Sequence, residues 1–140
     1  MASDGPADGD GFLDSVLGID YVSLDEDVAT AQVPVGAQLK GPRGTVHGGV
    51  YSAIAESLAS MATAKAVMSG DLIAMGMKND TDVLADVADG VLQVTAHRRY
   101  RDETRWVWDV EVRADGGLCS MSRVAIAVRS KPPRIDTTPV

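Results

Sequence analysis

Gly44-Thr45-Val46-His47-Gly48-Gly49-Val50-Tyr51-Ser52-Ala53-Ile54-Ala55-Glu56-Ser57-Leu58-Ala59-Ser60-Met61-Ala62-Thr63-Ala64-Lys65-Ala66-Val67-Met68 is the stretch on which the fold turns. From Gly49 to Met68 it is rich in Ala, Leu, Ile and Met and lacks proline, so it reads as the longest helix of the chain. Ser69-Gly70-Asp71 stops it. A helix this apolar on most of its sides is expected to be buried on most of its sides.

Upstream, Phe12 to Leu17 reads as a short helix ended by Gly18. Ile19 to Leu24 and Val28 to Val35 have strand character and are joined by the acidic turn Asp25-Glu26-Asp27. Gln38 to Gly44, with two glycines and a proline, reads as a loop. Downstream everything reads as strand: Leu72 to Thr81, Val91 to Tyr100 after Asp89-Gly90, Arg105 to Arg113, and Leu118 to Arg129 after the hairpin signal Asp115-Gly116-Gly117. In Arg105 to Arg113 the residues Trp106, Trp108, Val110 and Val112 share one face, with Asp109, Glu111 and Arg113 on the other. Two strands, one long helix and a run of antiparallel strands make an α+β domain, not an alternating βαβ one. A single antiparallel sheet wrapped around the helix would bury it.

The chain has 140 residues, 45% of them hydrophobic and 24% charged, which suits one domain over 11–131. Residues 1–10 and 132–140 hold nothing to bury and are expected to be flexible tails. The formal charge of −7 argues against non-specific nucleic-acid binding. No apolar run reaches the roughly 20 residues of a membrane span. The N-terminus lacks a basic segment followed by an apolar one, so no secretory signal is expected and a cytoplasmic location is. Cys119, the one cysteine, excludes an internal disulfide, and with two histidines the chain offers no plausible metal site.

Glu56 is the only charged residue between His47 and Lys65, and its helix neighbours Ser52, Ala53, Ala59 and Ser60 give it no cation. Two readings stay open. It is a functional carboxylate on an apolar helix, where burial without a partner is costly, or it lies on a solvent-facing stripe with Ser52 and Ser60. At the helix entrance, Gly48 and Gly49 let backbone approach a ligand closely. The first N–H groups of a helix have no internal partner and sit at the positive end of its dipole. Together they suit an oxyanion; the plainer reading is a turn and cap. His47 could be a general base, since imidazole exchanges protons near neutral pH, or could orient the loop through a backbone bond. Gly48 and Glu56 are eight residues apart, about 12 Å along a helix. One carbonyl carbon cannot meet both on a single helix, so joint action requires two subunits and a symmetric dimer.

The run Gly44 to Ser60, with Thr-Val-His-Gly-Gly and a glutamate on the same helix, resembles the hotdog-fold acyl-CoA thioesterases. Within them it is similar to the phenylacetate-degradation type and to the 4-hydroxybenzoyl-CoA thioesterases with their glutamate on the helix. The resemblance extends over about Ile19 to Arg129, through Met75 to Asn79, Arg105 to Val110 and Ala125 to Arg129. It implies a hotdog fold, hydrolysis of an acyl-CoA with no cofactor beyond the CoA of the substrate, and a homodimer assembling into a homotetramer. It implies Glu56 as nucleophile or general base, the Gly48 N–H as oxyanion donor, His47 beside it, and Ser60 where the family often carries threonine. Gly49, Met75, Gly76 and Asn79 fall at substrate positions. Arg101, Thr104 and Arg105 fall where the CoA nucleotide is met; the alternative for this Arg-rich segment is a solvated strand end paired with Asp102 and Glu103. Strand alternation puts Arg99 and Arg101 on one face and Arg98 on the other. The chain departs from the family pattern at Gly41, where Asn or Gln is common, and at Ala85, where an Arg can meet a phosphate. Two other functions remain: a hotdog dehydratase acting on a 3-hydroxyacyl thioester, which wants an imidazole and a carboxylic acid in one pocket, and a hotdog domain that binds acyl-CoA without turning it over.

Overall fold

The computed structural model describes residues 12–131; both expected tails, 1–10 and 132–140, lie outside the described residues. The elements run α1 (Leu13–Leu17), β1 (Asp20–Leu24), β2 (Val28–Pro34), a 3₁₀ turn (Ala37–Leu39), α2 (Gly48–Val67), β3 (Leu72–Val83), β4 (Val91–Arg101), β5 (Arg105–Ala114) and β6 (Gly117–Ser130). The strands form one antiparallel sheet in the order β1-β2-β4-β5-β6-β3. This is the hotdog architecture, with α2 laid along the inner face of the sheet.

Local chemistry explains three of the boundaries. Gly18 ends α1 in the left-handed conformation, φ 72°, and its N–H closes onto the Asp14 and Ser15 carbonyls. The β5–β6 hairpin turns on Asp115 and Gly116, both at positive φ (50° and 78°), between the paired residues Ala114 and Gly117. That is the mirror-image turn whose twist matches its strands. The acidic turn between β1 and β2 is held by Asp25, whose carboxylate accepts from the N–H groups of Asp27 and Val28.

The core lies between α2 and the inner face. Ile54, Ala55, Leu58, Ala59 and Ala62 of the helix are buried against Val94, Ala96, Trp108, Val110, Val124 and Ile126. The Val, Leu and Ile side chains among these contribute roughly 1.5–3 kcal/mol each when fully buried. The seam carries one polar joint: the Trp108 indole N–H donates to Thr63 Oγ1 at 2.9 Å, and the Thr63 hydroxyl donates to the Ala59 carbonyl at 2.8 Å. Cys119 is a buried free thiol, and Trp106 and Trp108 stack with centroids 6.2 Å apart.

The sheet wraps only one side of α2. Ser52, Ala53, Ser57 and Ser60 are half-buried, while Glu56 and Met61 are exposed. The expectation of a helix buried on most sides therefore fails for the single chain. The apolar content of the open side is mostly alanine, which demands little cover. β3 also runs two residues beyond the expected Thr81, pairing with β6 from Leu72 to Val83.

Candidate active site

The open side of α2 is one wall of a groove of about 510 Å³ lined by Leu13, Asp14, Gly49, Ser52, Ala53, Glu56, Ser57, Ser60, Met61 and Asn79. Glu56 sits midway along it, with Ser52 one turn before and Ser60 one turn after. Among the described residues no Lys, Arg or His pairs with Glu56. The stripe shared with Ser52 and Ser60 is thus real, and it faces a groove. The carboxylate leans onto β3, where its Oε2 lies 2.5 Å from the position a Cβ on Gly76 would take.

The N-terminal end of the helix is set by its cap. His47 is the N-cap, and its Nδ1 accepts from the Gly49 N–H at 2.9 Å. The imidazole orients the entrance loop through a backbone bond, one of the two roles left open above. It also uses up the Gly49 donor. The Gly48 N–H has no hydrogen-bond partner among the described residues, and it stands at the positive end of a 20-residue helix. Gly48 and His47 line a small separate recess with Gly41, Pro42 and Arg43. Within one chain, therefore, Glu56, Ser60, Gly49 and Asn79 come together, and Gly48 with His47 faces a different space.

Asn79 is mostly committed inside the chain: its Nδ2 donates to the Ser52 carbonyl at 2.9 Å, and its Oδ1 accepts from the hydroxyls of Thr81 at 2.7 Å and Ser52 at 3.4 Å. Met75 is half-exposed on β3. Arg101, Thr104 and Arg105 lie at the β4–β5 turn, away from the groove. There Asp102 accepts the N–H groups of Thr104 and Arg105 at 2.9 and 2.8 Å, folding the turn. The Tyr100 hydroxyl first, and these N–H groups with it, hold the Asp102 carboxyl below the usual carboxylate range.

The expected alternation of arginines breaks at this strand end. The β4–β5 register shifts between Arg98 and Tyr100, so that Arg98 faces Trp108 and Arg101 faces Trp106. A bulge adds one residue and inverts the phase beyond it. Arg98 and Arg101 consequently share a side, with guanidinium carbons 5.3 and 4.6 Å from the Trp106 ring centroid. Arg99 turns instead to Asp109, at 2.9 Å. The acidic β1–β2 turn reaches the same place, Asp27 pairing with Arg98 at 2.6 Å and Glu26 with Arg101 at 3.5 Å.

Asp14 was not singled out by the sequence. Its carboxylate takes the Tyr21 hydroxyl at 2.5 Å and the Ser57 hydroxyl at 2.7 Å, fastening α1 to β1 and α2 at the groove's rim. Burial, then the bond to Asp14, pushes the Tyr21 hydroxyl well above its ordinary range. Nothing local marks an aspartate in a five-residue helix for such a role; the partners are 7 and 43 residues away.

Comparison with known proteins adds the family. Residues 43–120 match the Thioesterase superfamily. Over 120 residues the chain is 31% identical to the 1,4-dihydroxy-2-naphthoyl-CoA hydrolase of Listeria monocytogenes, covering 85% of this chain and 97% of that protein. It is 29% identical over 119 residues to the proofreading thioesterase EntH of Cronobacter turicensis, covering 84% and 86%. A crystal structure of a mutant of thioesterase PA1618 from Pseudomonas aeruginosa superposes with a TM-score of 0.82 at 28% identity, covering 89% of this chain and 90% of that one.

Proposed function

Since the chain belongs to the Thioesterase superfamily and is a thioester hydrolase, we propose that it cleaves an acyl-CoA to the free acid and CoA, with Glu56 as the reacting carboxylate and the Gly48 N–H of a second subunit as oxyanion donor. The observation that carries this reading is the pairing of two unengaged groups on one helix: a carboxylate in a groove whose lining holds no cation, and a free N–H at the helix start. They are about 12 Å apart, so the substrate carbonyl meets Glu56 of one chain and Gly48 of its partner. The free edge of β3, with Met75, Met77 and Val83 half-exposed, supports a second copy docking beside α2.

Two routes fit. Glu56 takes a proton from water while the water oxygen adds to the thioester carbonyl. Or a Glu56 oxygen adds directly and forms a mixed anhydride that water then opens. In both, negative charge gathers on the carbonyl oxygen and is met by the Gly48 N–H, a contact of a kind worth about 10²–10³-fold in kcat. The CoA sulfur leaves with the bond electrons and collects a proton. Ser60, one turn beyond Glu56, orients the water or the carboxylate. Neither route needs a cofactor besides the CoA of the substrate. Arg101, Thr104 and Arg105 would meet the nucleotide, and the buried reduced thiol of Cys119 fits a cytoplasmic setting. The coenzyme-A thioester of an aromatic acid named for the Listeria relative makes aromatic acyl groups the first to try. A dehydratase would need His47 as a base, and its imidazole spends the Nδ1 lone pair on the Gly49 N–H.

The deciding test is Glu56→Gln, which keeps shape and loses basicity and nucleophilicity. Thiol release from a panel of aromatic and aliphatic acyl-CoA substrates should fall about 1,000-fold or more, with the melting temperature little changed because the side chain is exposed. Turnover within a few-fold of the parent would reject Glu56 as the reacting group.

A further inference from the structure

Gly76 and Asn79 are three residues apart on β3, and simple alternation would point them to opposite faces. The β3–β6 register shifts between Gly76 and Lys78, so that Gly76 opposes Ile126 and Asn79 opposes Val124. Ile126 and Val124 are both fully buried, inward-facing residues. The bulge at Met77 therefore turns Gly76 and Asn79 to the same side, toward α2.

What each meets there belongs to one helical turn. The three atoms nearest to a Cβ placed on Gly76 are Oε2, Cδ and Cγ of Glu56, at 2.5, 2.7 and 3.0 Å. Asn79 Nδ2 donates to the carbonyl of Ser52 at 2.9 Å. Ser52 is four residues before Glu56, so this carbonyl is also the helical acceptor of the Glu56 N–H, and an oxygen with two lone pairs can serve both. The Asn79 side chain is itself braced by the Thr81 hydroxyl, which meets Ser122 Oγ at 2.7 Å. One strand thus holds the backbone of the turn at Asn79 and leaves a vacancy for its carboxylate at Gly76.

We propose that Gly76 and Asn79 are positioning residues for Glu56: β3 supplies a seat for the carboxylate and a clamp on its helical turn, and neither residue acts by touching substrate. The inference rests on Glu56 being the reacting group and adds what holds it in place. A methyl at position 76 forces the carboxylate back by roughly 1 Å, a displacement on the scale that costs about 100-fold in rate. The fold should bear it, because the nearest atoms are the end of one movable side chain.

The test is a double-mutant cycle in the full-length protein, with kcat, KM and melting temperature read for each variant. Gly76→Ala should lower kcat about 100-fold, leaving KM and melting temperature close to the parent. In a Glu56→Asp background, where the carboxylate is already drawn back from its reacting position by one methylene, the same change should lower kcat less than about threefold. Asn79→Ala should lower kcat, again without raising KM. An unchanged kcat for Gly76→Ala, a rise confined to KM, an equal loss in both backgrounds, or collapse of the fold would each overturn the assignment. These outcomes are separate from that of Glu56→Gln: if Glu56→Gln is inactive and Gly76→Ala is not impaired, only the seat is wrong.

Discussion

Tyr51 shows how a single group can be out of balance inside a well-packed chain. Its ring is buried on the inner side of α2, yet its hydroxyl has no hydrogen-bond partner among the described residues. An unsatisfied buried hydroxyl costs on the order of 1–3 kcal/mol, so Tyr51→Phe should stabilise the protein by about 1 kcal/mol in urea melts. Burial also pushes the phenol up to about 12, above its ordinary value of 10.0. The unfolded chain then ionises first as pH rises, so the stability held below pH 10 should drain away between 10 and 12. Tyr51→Phe should flatten that decline relative to the parent; an identical alkaline slope in both proteins would count against it. At this scale the sequence was informative where chemistry is local. Glu56 stood out as a lone charge, and Gly48 as a free donor at a helix start. Asp14 and Tyr51 did not, because their significance lies in partners met across the fold, or in the want of one.

At the scale of elements, the hairpins, the long helix and the inward face of β5 were legible, since period, breaker residues and turn chemistry are local signals. The bulges at Met77 in β3 and near Arg99 in β4, two of the four register shifts in the sheet, were not. A bulge is one residue of slippage against a neighbouring strand, and the strand's own composition hardly registers it. Yet both lie next to residues of the candidate site and decide which way these point. The β4 bulge places Arg101 over Trp106 beside Arg98 and within reach of Glu26. Arg105, by contrast, forms no ion pair among the described residues. Replacing either by Ala should raise KM for CoA thioesters more than for thioesters that lack the nucleotide. Arg105→Ala should have the larger effect, because a phosphate meeting Arg101 must first displace Glu26. Equal changes on both substrate types would mark the turn as an ordinary solvated strand end, a setting in which exposed pairs contribute at most about 1 kcal/mol.

For the whole molecule, the open face of α2 and the free edge of β3 call for a second chain if Glu56 and Gly48 are to meet one carbonyl. Subunit complementation tests this directly. Glu56→Ala disables one half-site, and Gly48→Pro removes the N–H of the other. Each variant alone should be inactive. After subunit exchange, a mixed dimer gathers both defects in one site and leaves the second intact, so activity should return toward half of the parent value in that dimer. A mixture that exchanges and stays inactive, or a monomer with full activity, would rule out the shared site. In the sequence the same condition follows from nothing more than helix rise, a rigid metric that eight residues of spacing cannot evade.

The stacked indoles at the heart of the sheet have a practical consequence. Trp106 and Trp108 are the only tryptophans in the chain. One lies beneath two guanidinium groups at the β4–β5 end, and the other is hydrogen-bonded across the seam to α2. The protein therefore carries an intrinsic optical probe at two informative positions. Anion capture that draws Arg101 away would alter the quenching of one indole, and separation of helix from sheet would expose the other to water and shift its emission to the red. Occupancy and unfolding can be followed by light alone, without a label and without turnover.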